Sequence, residues 1–542
     1  MAGVVSQFRS GTLSRREFIR LSTLLGISGV AAARLGGFIW PRPAVAASPL
    51  RGGILNIAGR LPVISDPVRL SSISGSNVLR QVAEYLTFCG ADNIAQPYLL
   101  DHWEVSEDLT TWTLHLRQGI TWNNGDTFVA DDVVFSLRHW LDKDARSELN
   151  ALLGAYLDGT GLEKVNDHQV RLHLKRPEIA LPEHLAHCQA LVLNAKTFEG
   201  DFLKAPVGTG PFTLAYYRQG EAALLKARGD YWQRGADEKP LPYLSEINCL
   251  DLGGDPAVHF KALRDGAVQL VDEGLPPVSN LQGLPLIKDN PGILVSEVGT
   301  AATRALCMRT DIKPFDDFRV RRALKLCQDR EKILALVLKN AGIQGQDTQV
   351  SPVHPDYCPV PTPAYQPRLA KHLLAEAGYP HGLKVELVLP AEHPEIVRYG
   401  EVLKQDAKAS GFEIAINALD ANQYVQQQIN AALGILPLPH QPLGIMGLTS
   451  ALAAPAQAPK APADGTRWMD EEYSALLARA GGLLDVAERR QVICRLEKIQ
   501  QERGNLGVAF FINSRVCLSK QLKGVPAHPN GIIQLHQAWL DV

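Results

Sequence analysis

The sequence predicts an α/β protein made of two lobes. At 542 residues the chain is too long for one ordinary hydrophobic core, so two or three domains are expected. Residues 244–251 have the pattern of a strand, 257–264 that of a short helix and 268–271 that of a second strand. The alternation of strand and helix starts again at Thr300. Because strand–helix–strand units build α/β lobes, we expect one lobe on each side of this point.

The first lobe combines helical and alternating patterns. Apolar residues at helical spacing predict a helix from Asn77 to Phe88, with Ser74 or Ser76 near its start. Asp131 and Asp132 suit the first turn of another helix, which explains them more simply than a pair of catalytic carboxylates. Alternation and turn residues predict strands within 54–58, 111–117 and 119–126.

The stretch from Pro206 to Trp232 predicts a hairpin. Its Gly-Thr-Gly-Pro run at 208–211 is a rigid turn, since glycine tolerates unusual dihedrals and proline fixes the next φ. Strands are expected at 212–217 and 222–226. A dinucleotide-binding loop is rejected, because Thr213 stands where the third glycine of that motif belongs.

The second lobe is expected to contain a long helix from Arg319 to Lys339. The segment from Leu433 to Gly465 holds six prolines and is expected to be an irregular connection. Val508–Asn513 and Val516–Ser519 are expected to form a closing strand pair. The remaining predicted elements are helices at 364–378, 395–410, 471–480 and 486–503 and strands at 383–389 and 412–418.

Composition favours a globular protein without a nucleic-acid partner. Lys and Arg total 55 against 57 Asp and Glu, which gives a formal net charge of -2. This balance gives no reason to expect nucleic acid or a membrane surface as a partner.

The N-terminus has the pattern of a targeting segment. Arg15 and Arg16 precede a weakly apolar run from Leu21 to Ala33, and residues 44–46 are a small-x-small cleavage signal. The run is too short for a bilayer anchor, which needs about 20 apolar residues. Residues 1–46 resemble a Tat signal, which implies export of the folded chain to the periplasm by the Tat translocase.

The cysteines and histidines show no strong metal motif. The eight cysteines include no CxxC pair, most are expected to be buried thiols, and their spacing leaves disulfide pairing open. His184, His187 and Cys188 could ligate a metal from one predicted helix. We favour a partly exposed helix surface instead, because no second ligand pair lies nearby, and we predict no metal and no cofactor.

The aromatic residues and the missing catalytic motifs argue against an enzyme. No segment assembles a nucleophile, a base and an orienting group. Tryptophans are more often core anchors than ligand platforms, although they can also line a cleft. The residues concerned are Trp103, Trp112, Trp122, Trp140 and Trp232.

Five blocks in order resemble one protein family, the extracytoplasmic solute-binding proteins of ABC importers. The resemblance is to family 5, the dipeptide, oligopeptide and nickel class, and it covers nearly all of the chain after the signal. The blocks are Trp103–Leu137, the GTGP hairpin with its Tyr-Trp end at Pro206–Trp232, KPFDDFRVRRALKLCQDREKI at Lys313–Ile333, Leu369–Gly382 and Trp468–Gln500.

The resemblance implies a two-lobed periplasmic binding protein, type II-like and of cluster C. Lobe one is expected at residues 47–300, with an extra subdomain inserted at about 91–195. Lobe two is expected at 301–507, and residues 508–542 are expected to return to lobe one.

The resemblance also implies where a solute binds. The segment Ser71, Ser72, Ile73 and Ser74 is similar to one that pairs with an extended ligand, and an ordinary loop is an equal alternative. In lobe two the expected contacts are Leu438, His440 and Gln441, with a proline-stiffened surface turn as the alternative. The stretch Gly434–Gly444 has no acid and no tryptophan, which puts a peptide with a free α-amino group in doubt.

The expected function is therefore that of a periplasmic receptor for a peptide-like or other small polar solute. Its partners would be that solute and an inner-membrane ABC permease. The alternatives are a periplasmic nickel or haem carrier and a degenerate regulatory paralogue.

Overall fold

The computed structural model describes residues 2–9, 11, 13, 15–25, 32, 35, 49–145, 147–272, 274, 280–450 and 466–541. These form two compact units. Unit 1 comprises Met1–Val298 and Ser514–Val542, and unit 2 comprises Gly299–Asn513. In the part of the chain described, no helix is long and apolar enough to cross a membrane.

Unit 1 is organised around a seven-stranded sheet. Its strands are β1 (Ile54–Gly59), β8 (Phe212–Arg218), β9 (Ala222–Ala227), β10 (Glu246–Asp251), β11 (Leu270–Asp272), β12 (Ile293–Val298) and β19 (Ser514–Ser519). The order across the sheet is β12-β19-β11-β1-β10-β9-β8. The central strand β1 runs parallel to β10 and β11, and the outer neighbours are antiparallel. Helix α7 (Pro256–Arg264) buries Phe260 and Leu263 against Ala58 of β1, and α8 (Asn280–Ile287) is the next helix of this unit.

The predicted hairpin is confirmed as β8 and β9, and its GTGP turn packs backbone against backbone. The amide of Gly210 donates to the carbonyl of Val82 at 2.8 Å, and that of Phe212 donates to Gln81 at 3.0 Å. A Cβ atom added to Gly208 would lie 1.9 Å from the Val82 carbonyl oxygen. The turn therefore has no room for a side chain at this position.

The same contact explains why the predicted helix from Asn77 to Phe88 is wrong. Helix α3 spans Ile73–Leu79, and the chain then turns before β2 (Thr87–Cys89). A longer helix would direct the carbonyls of Gln81 and Val82 to amides four residues further on. In the structure these carbonyls accept hydrogen bonds from the GTGP segment instead.

A second, four-stranded antiparallel sheet lies within unit 1 and within the predicted insertion. It contains β4 (Leu100–Val105), β5 (Thr111–Leu116), β6 (Leu162–Asn166) and β7 (Gln169–His173), in the order β4-β5-β7-β6. The neighbouring elements are β3 (Ala95–Pro97) and helices α4 (Ala130–Trp140), α5 (Glu148–Gly154) and α6 (Leu181–His184).

The side chains around this sheet agree with their predicted roles. Asp131 and Asp132 lie in the first turn of α4, and Asp132 also accepts a hydrogen bond from Trp122 Nε1 at 3.2 Å. The core role of four tryptophans is confirmed, since Trp103, Trp112, Trp122 and Trp140 are at most 1% exposed. The fifth, Trp232, is half-buried and donates from Nε1 to Glu84 at 3.0 Å.

Unit 2 is built on a six-stranded sheet flanked by helices. Its strands are β13 (Thr303–Met308), β14 (Gly342–Gln344), β15 (Leu383–Pro390), β16 (Phe412–Leu419), β17 (Leu433–Leu438) and β18 (Leu506–Ile512), in the order β14-β18-β13-β17-β15-β16. Its helices are α9 (Phe318–Leu326), α10 (Arg330–Leu338), α11 (Pro367–Glu376), α12 (Pro394–Ala407), α13 (Ala421–Gln427), α14 (Gly444–Thr449), α15 (Glu471–Gly481) and α16 (Val486–Arg503).

The long helix predicted from Arg319 to Lys339 is wrong, because it is broken into α9 and α10. Asp329 caps α10 by accepting the amide of Lys332. Gln328 in the break is fully buried and donates to Asp347 at 3.0 Å. The break therefore allows the Asp329 carboxylate to cap α10 and the buried Gln328 amide to bind Asp347. A continuous helix would allow neither contact.

The irregular connection predicted from Leu433 is also wrong over its first part. Residues 433–438 form β17, which lies between β13 and β15 with Leu433 and Ile435 fully buried. Pro437 is exposed near the end of β17. It lies beyond Gly434, the position at which β17 pairs with β15. Residues 451–465 of the predicted connection lie outside the described residues.

The closing strands predicted at 508–513 and 516–519 do not pair with each other. Strand β18 pairs with β13 and β14 in unit 2, whereas β19 pairs with β11 and β12 in unit 1. For this reason the unit boundaries lie at 298/299 and 513/514 rather than at 300/301 and 507/508.

One disulfide joins cysteines that the sequence could not pair. Cys358 and Cys494, whose Cα atoms are 5.5 Å apart, link the segment after β14 to helix α16. The other six cysteines lie outside this bond; five are buried and Cys188 is half-buried. Burial of most cysteines is thus confirmed.

The segment before residue 25 forms helices α1 (Ala2–Arg9) and α2 (Arg15–Leu24). Arg15 and Arg16 begin α2. Arg20 makes a buried ion pair with Glu183 at 3.3 Å, and Trp103 Nε1 donates to the carbonyl of Leu24 at 3.2 Å. The proposed cleavage signal at residues 44–46 lies outside the described residues.

Candidate functional site

The chain passes between the two units twice, after Val298 and before Ser514. On the unit 1 side these two residues are paired across β12 and β19. The next residues are tied by an ion pair between Glu297 Oε2 and Arg515 Nε at 2.9 Å. Both passages therefore leave unit 1 from one hydrogen-bonded strand pair.

The unit 2 side of the passages is held by side-chain hydrogen bonds. Thr300 Oγ1 donates to the carbonyl of Ile512 at 2.5 Å and accepts the amide of Ala302 at 2.9 Å. Ser351 Oγ donates to the Thr300 carbonyl at 3.0 Å. Gly299 and Asn513 thus lie between hydrogen-bonded residues of unit 1 and hydrogen-bonded residues of unit 2.

The predicted contact residue His440 lies beside this anchor in unit 2. Its side chain is buried, and Nδ1 accepts the amide of Ala301 at 2.9 Å. In the neutral ring the proton is therefore on Nε2, which makes Nε2 a hydrogen-bond donor. Leu438 lies at the end of β17, opposite Thr303.

The backbone of Gln441 is held in place and leaves its side chain for other contacts. His354 Nε2 donates to the Gln441 carbonyl at 2.9 Å, and His354 Nδ1 accepts the amide of Ser351 at 3.1 Å. Gln441 itself is half-buried. The structure therefore brings His440 and Gln441 together on one fixed turn.

A carboxylate that the sequence reasoning missed lies against the same turn. Asp356 is 1% exposed, and its Oδ1 accepts the amide of Gly444 at 3.1 Å. Its Oδ2 is buried without a hydrogen-bond partner. The stretch Gly434–Gly444 lacks an acid in sequence, yet Asp356 supplies one in space.

A second buried acid, Glu497, lies within the electrostatic reach of Asp356. Burial raises the pKa of Glu497 to about 8, Asp356 adds to this shift, and hydrogen bonds from Thr348 and Gln346 oppose it. The hydrogen bond from Gln346 Nε2 is 2.9 Å long. Glu497 is therefore protonated at neutral pH.

Unit 1 has a cluster of polar groups on α3 and β11. Asn77 Nδ2 donates to Asp272 Oδ2 at 3.1 Å, and Asn77 Oδ1 accepts the amide of Ile533 at 3.0 Å. These groups line a cavity of about 20 Å³ together with Ser74 and Gln81. A cavity of this size suits one water molecule.

Only part of the segment from Ser71 to Ser74 lies outside helix α3. Helix α3 starts at Ile73, which agrees with a start near Ser74 rather than near Ser76, so Ile73 and Ser74 are buried in its first turn. Ser72 keeps an extended backbone with φ −130° and ψ 133° and precedes the helix. Backbone available for pairing with a ligand is thus limited to Ser71 and Ser72.

The predicted partly exposed helix surface is wrong for His184, which is buried at the end of α6, whereas His187 and Cys188 follow the helix and are half-buried. His184 is buried, its Nδ1 lies 2.8 Å from the Tyr156 hydroxyl, and burial lowers its pKa to about 3. Burial disfavours the charged form of His187 too, but Cys188 and then Glu148 raise its pKa to about 9. The two histidines make separate contacts, His184 with Tyr156 and His187 with Cys188.

The family follows from a comparison with known sequences. Residues 95–436 match the model of the bacterial extracellular solute-binding proteins, family 5 Middle. This range is more than half of the chain, so the chain belongs to this family.

Individual relatives in the comparison share less than 30% identity with this chain. The dipeptide-binding protein of Escherichia coli (strain K12) is 29% identical over 363 residues, which are 61% of this chain and 64% of that protein. Heme-binding protein A of Haemophilus influenzae is 27% identical over 339 residues, which are 57% and 59% of the two chains. The chain thus spans less than two thirds of the length of either relative.

A solved structure supports the fold. HbpA2 from Haemophilus parasuis has a TM-score of 0.75 and 22% identity, with 90% of this chain and 100% of that chain covered. At this identity the similarity shows the fold alone. It confirms the predicted fold class of a two-lobed α/β periplasmic binding protein.

Proposed function

We propose that the protein is a periplasmic solute receptor of an ABC importer. It captures a small polar solute, peptide-like or otherwise, between two hinged lobes and delivers it to the membrane permease. The observation that carries this proposal is the double passage of the chain, with bonded ends on both sides of Gly299 and Asn513. Two short passages between rigid sheets allow hinge bending.

Closure by a solute requires contacts with both units. A ligand shifts an open–closed equilibrium only by its difference in affinity for the two states. In unit 2 the contacts are the Nε2–H of His440 and the amide of Gln441. In unit 1 they are the backbone of Ser71 and the extended backbone of Ser72. The chemistry of His440 suits a solute that presents a carboxylate or amide oxygen to unit 2.

The residues support binding rather than catalysis. His440 uses Nδ1 to hold the backbone of Ala301, and His354 uses both ring nitrogens for the backbone. In this turn neither imidazole has a nitrogen placed as a general base next to a nucleophile.

Export is proposed to proceed by the Tat translocase through Arg15 and Arg16. Replacing both by lysine keeps the charge but removes the paired guanidinium groups. We expect the double variant to accumulate in the cytoplasm and the wild type in the periplasm. Cell fractionation decides this, and a double variant exported as well as the wild type would contradict Tat export.

The solute is best found by native mass spectrometry of protein purified from the periplasm. We expect a co-purified small molecule, and calorimetry with that molecule gives heat and one-to-one stoichiometry. A panel of dipeptides, tripeptides, opines and sugars, with nickel and haem as further members, covers the alternatives. Heat from nickel or haem that is weakened by substitution of His440 or Gln441, with no heat from the other members of the panel, would replace the proposed solute with that cargo.

A further inference from the structure

Three ligand-type side chains lie on the outer face of the four-stranded sheet in unit 1. In β4, His102 and Glu104 are two residues apart and so share one face. The register places His102 directly opposite His115 of β5. The two imidazole rings stack with centroids 4.0 Å apart and planes 10° from parallel.

Their donor atoms lie close to one another, and both nitrogens can bind one ion once the two rings turn out of the stacked arrangement. One nitrogen from each histidine and one carboxylate oxygen of Glu104 all lie within 4.8 Å of one another. Ligands at about 2.0–2.2 Å from a tetrahedral ion are about 3.4 Å apart, so the donor atoms must approach by at most about 1.4 Å. Glu104, whose side chain is 70% exposed, can turn inward to shorten its distances.

The Nε2 atom of His115 faces the position proposed for the ion and makes no hydrogen bond. This atom is shielded from solvent and lies 3.8 Å from Glu104 Oε2. A buried polar atom without a partner is unusual in a protein. An ion between the two side chains would satisfy it.

The outer contacts orient both imidazoles. Asp101 Oδ2 lies 3.0 Å from His102 Nδ1, which leaves Nε2 of that ring for an ion. A carboxylate behind a histidine is the usual support of a metal ligand. On the other side, the Gln169 amide lies 3.0 Å from His115 Nδ1, because Gln169 pairs with His115 across β5 and β7.

The Gln169 amide must turn for His115 to bind through Nε2. With its oxygen toward the ring it accepts the proton of Nδ1, and Nε2 then has a lone pair for the ion. This rotation of the Gln169 amide breaks one exposed hydrogen bond, which Asn166 Nδ2 donates to Gln169 Oε1 at 2.8 Å.

The site opens onto a groove of about 850 Å³. The groove is lined by Asp101, His102, His115, Arg117, His168 and Trp232, among others. It gives an ion access from solvent and leaves room for water in the remaining coordination position. A site with three protein ligands and one open position follows.

We propose that His102, Glu104 and His115 bind one divalent transition-metal ion, of the zinc, nickel and copper type. Imidazole nitrogen with one carboxylate is the donor set that these ions prefer. The site rests on the four-stranded sheet alone and is independent of the proposed solute contacts at Ser71, Ser72, His440 and Gln441.

The test is calorimetry of the full chain, without an added histidine tag and after removal of metal by a chelator. Titration with Zn²⁺, Ni²⁺ and Cu²⁺ separately should give one site for at least one ion. The variants His102→Asn, His115→Asn and Glu104→Gln should each weaken binding at least about tenfold. Circular dichroism and melting temperature show whether each variant is folded.

His173→Asn is the matched control. His173 lies on the same face of the sheet and pairs with Glu163 at 3.0 Å, and that pair is not part of the ligand group formed by His102, Glu104 and His115. This variant should bind metal like the wild type. The proposal is overturned if none of the three ions binds the wild type, or if folded His102→Asn and His115→Asn bind as tightly as it does. Equal loss with His173→Asn would also overturn it.

Discussion

The GTGP turn of unit 1 and the turn at Leu438–Gly444 of unit 2 are both rich in proline and glycine, yet they do different work. In the first, backbone packs on backbone and leaves no room for a side chain. In the second, side chains hold the backbone through His440 Nδ1 and His354 Nε2, and the proposed solute contacts are His440 Nε2–H and the Gln441 amide. We infer that the first turn is a scaffold and the second a recognition element.

Gly208→Ala should show the scaffold role most strongly. The new Cβ would lie 1.9 Å from the Val82 carbonyl oxygen, so backbone must move. We expect a loss of about 3–5 kcal/mol of unfolding free energy, measured by urea denaturation. Gly229→Ala, where nothing lies within 4 Å, is the control and should change stability little. Equal stability of the two variants would show that the turn tolerates a side chain.

Glu497→Gln tests the buried acids behind the recognition turn. The folded pKa of Glu497 is about 8, above the ordinary value of 4.5, so the folded state binds more protons than the unfolded state between these values. Stability from this group is complete below about pH 4.5 and is lost as pH rises through 8.

Between pH 5 and pH 7 the wild type should therefore lose roughly 2–3 kcal/mol that Glu497→Gln does not lose. Burial lowers the pKa of Lys325 to about 7. Lys325 therefore increases stability as pH rises, but only above about pH 7. Thermal unfolding at several pH values measures the difference. Glu502→Gln, exposed on the same helix α16, is the control. Parallel pH profiles for the wild type and Glu497→Gln would contradict the raised pKa.

Two substitutions at His440 distinguish its role in stability from its proposed role in solute binding. Alanine leaves the buried Ala301 amide without an acceptor and should cost about 1–3 kcal/mol of stability. Asparagine places Oδ1 near the position of Nδ1 and removes the Nε2–H. We expect His440→Asn to keep most of the stability and to bind the solute about fivefold to tenfold more weakly. Calorimetry and melting curves report the two effects, and unchanged affinity would remove His440 from the site.

Gln441→Ala should have the smallest effect on stability, at most about 0.5 kcal/mol. Only the backbone carbonyl of Gln441 is used by His354, so the side chain can be removed without loss of that bond. Solute affinity should fall by a similar factor to that of His440→Asn. Gln426→Ala, on the exposed face of α13, should leave affinity unchanged. Equal affinities of both variants would mean that Gln441 lies outside the site.

The two turns also show what could be predicted from the sequence. Helix α16 at Val486–Arg503 has the predicted bounds, because its limits depend on contacts close in sequence, such as the Asp485 cap seen in the structure. The hairpin after Pro206 was predicted for the same reason. The break at Asp329, the early end of α3 and strand β17 depend on partners distant in sequence, so local patterns could not reveal them.

The same limit applies to the candidate sites. His440 and Gln441 were predicted by resemblance, whereas Asp356 was missed because it lies 88 residues away from Gly444 in sequence. His102 and His115 become neighbours only through the register of β4 and β5. A single sequence contains no signal for such a register.

The central claim, closure of two units over a solute, is tested most directly by small-angle X-ray scattering. The protein is measured without solute and with the molecule found by native mass spectrometry at saturation. Closure predicts a smaller radius of gyration with solute, and Gln441→Ala should need a higher solute concentration for the same change. An unchanged scattering curve, at a concentration where calorimetry shows the site full, would contradict closure.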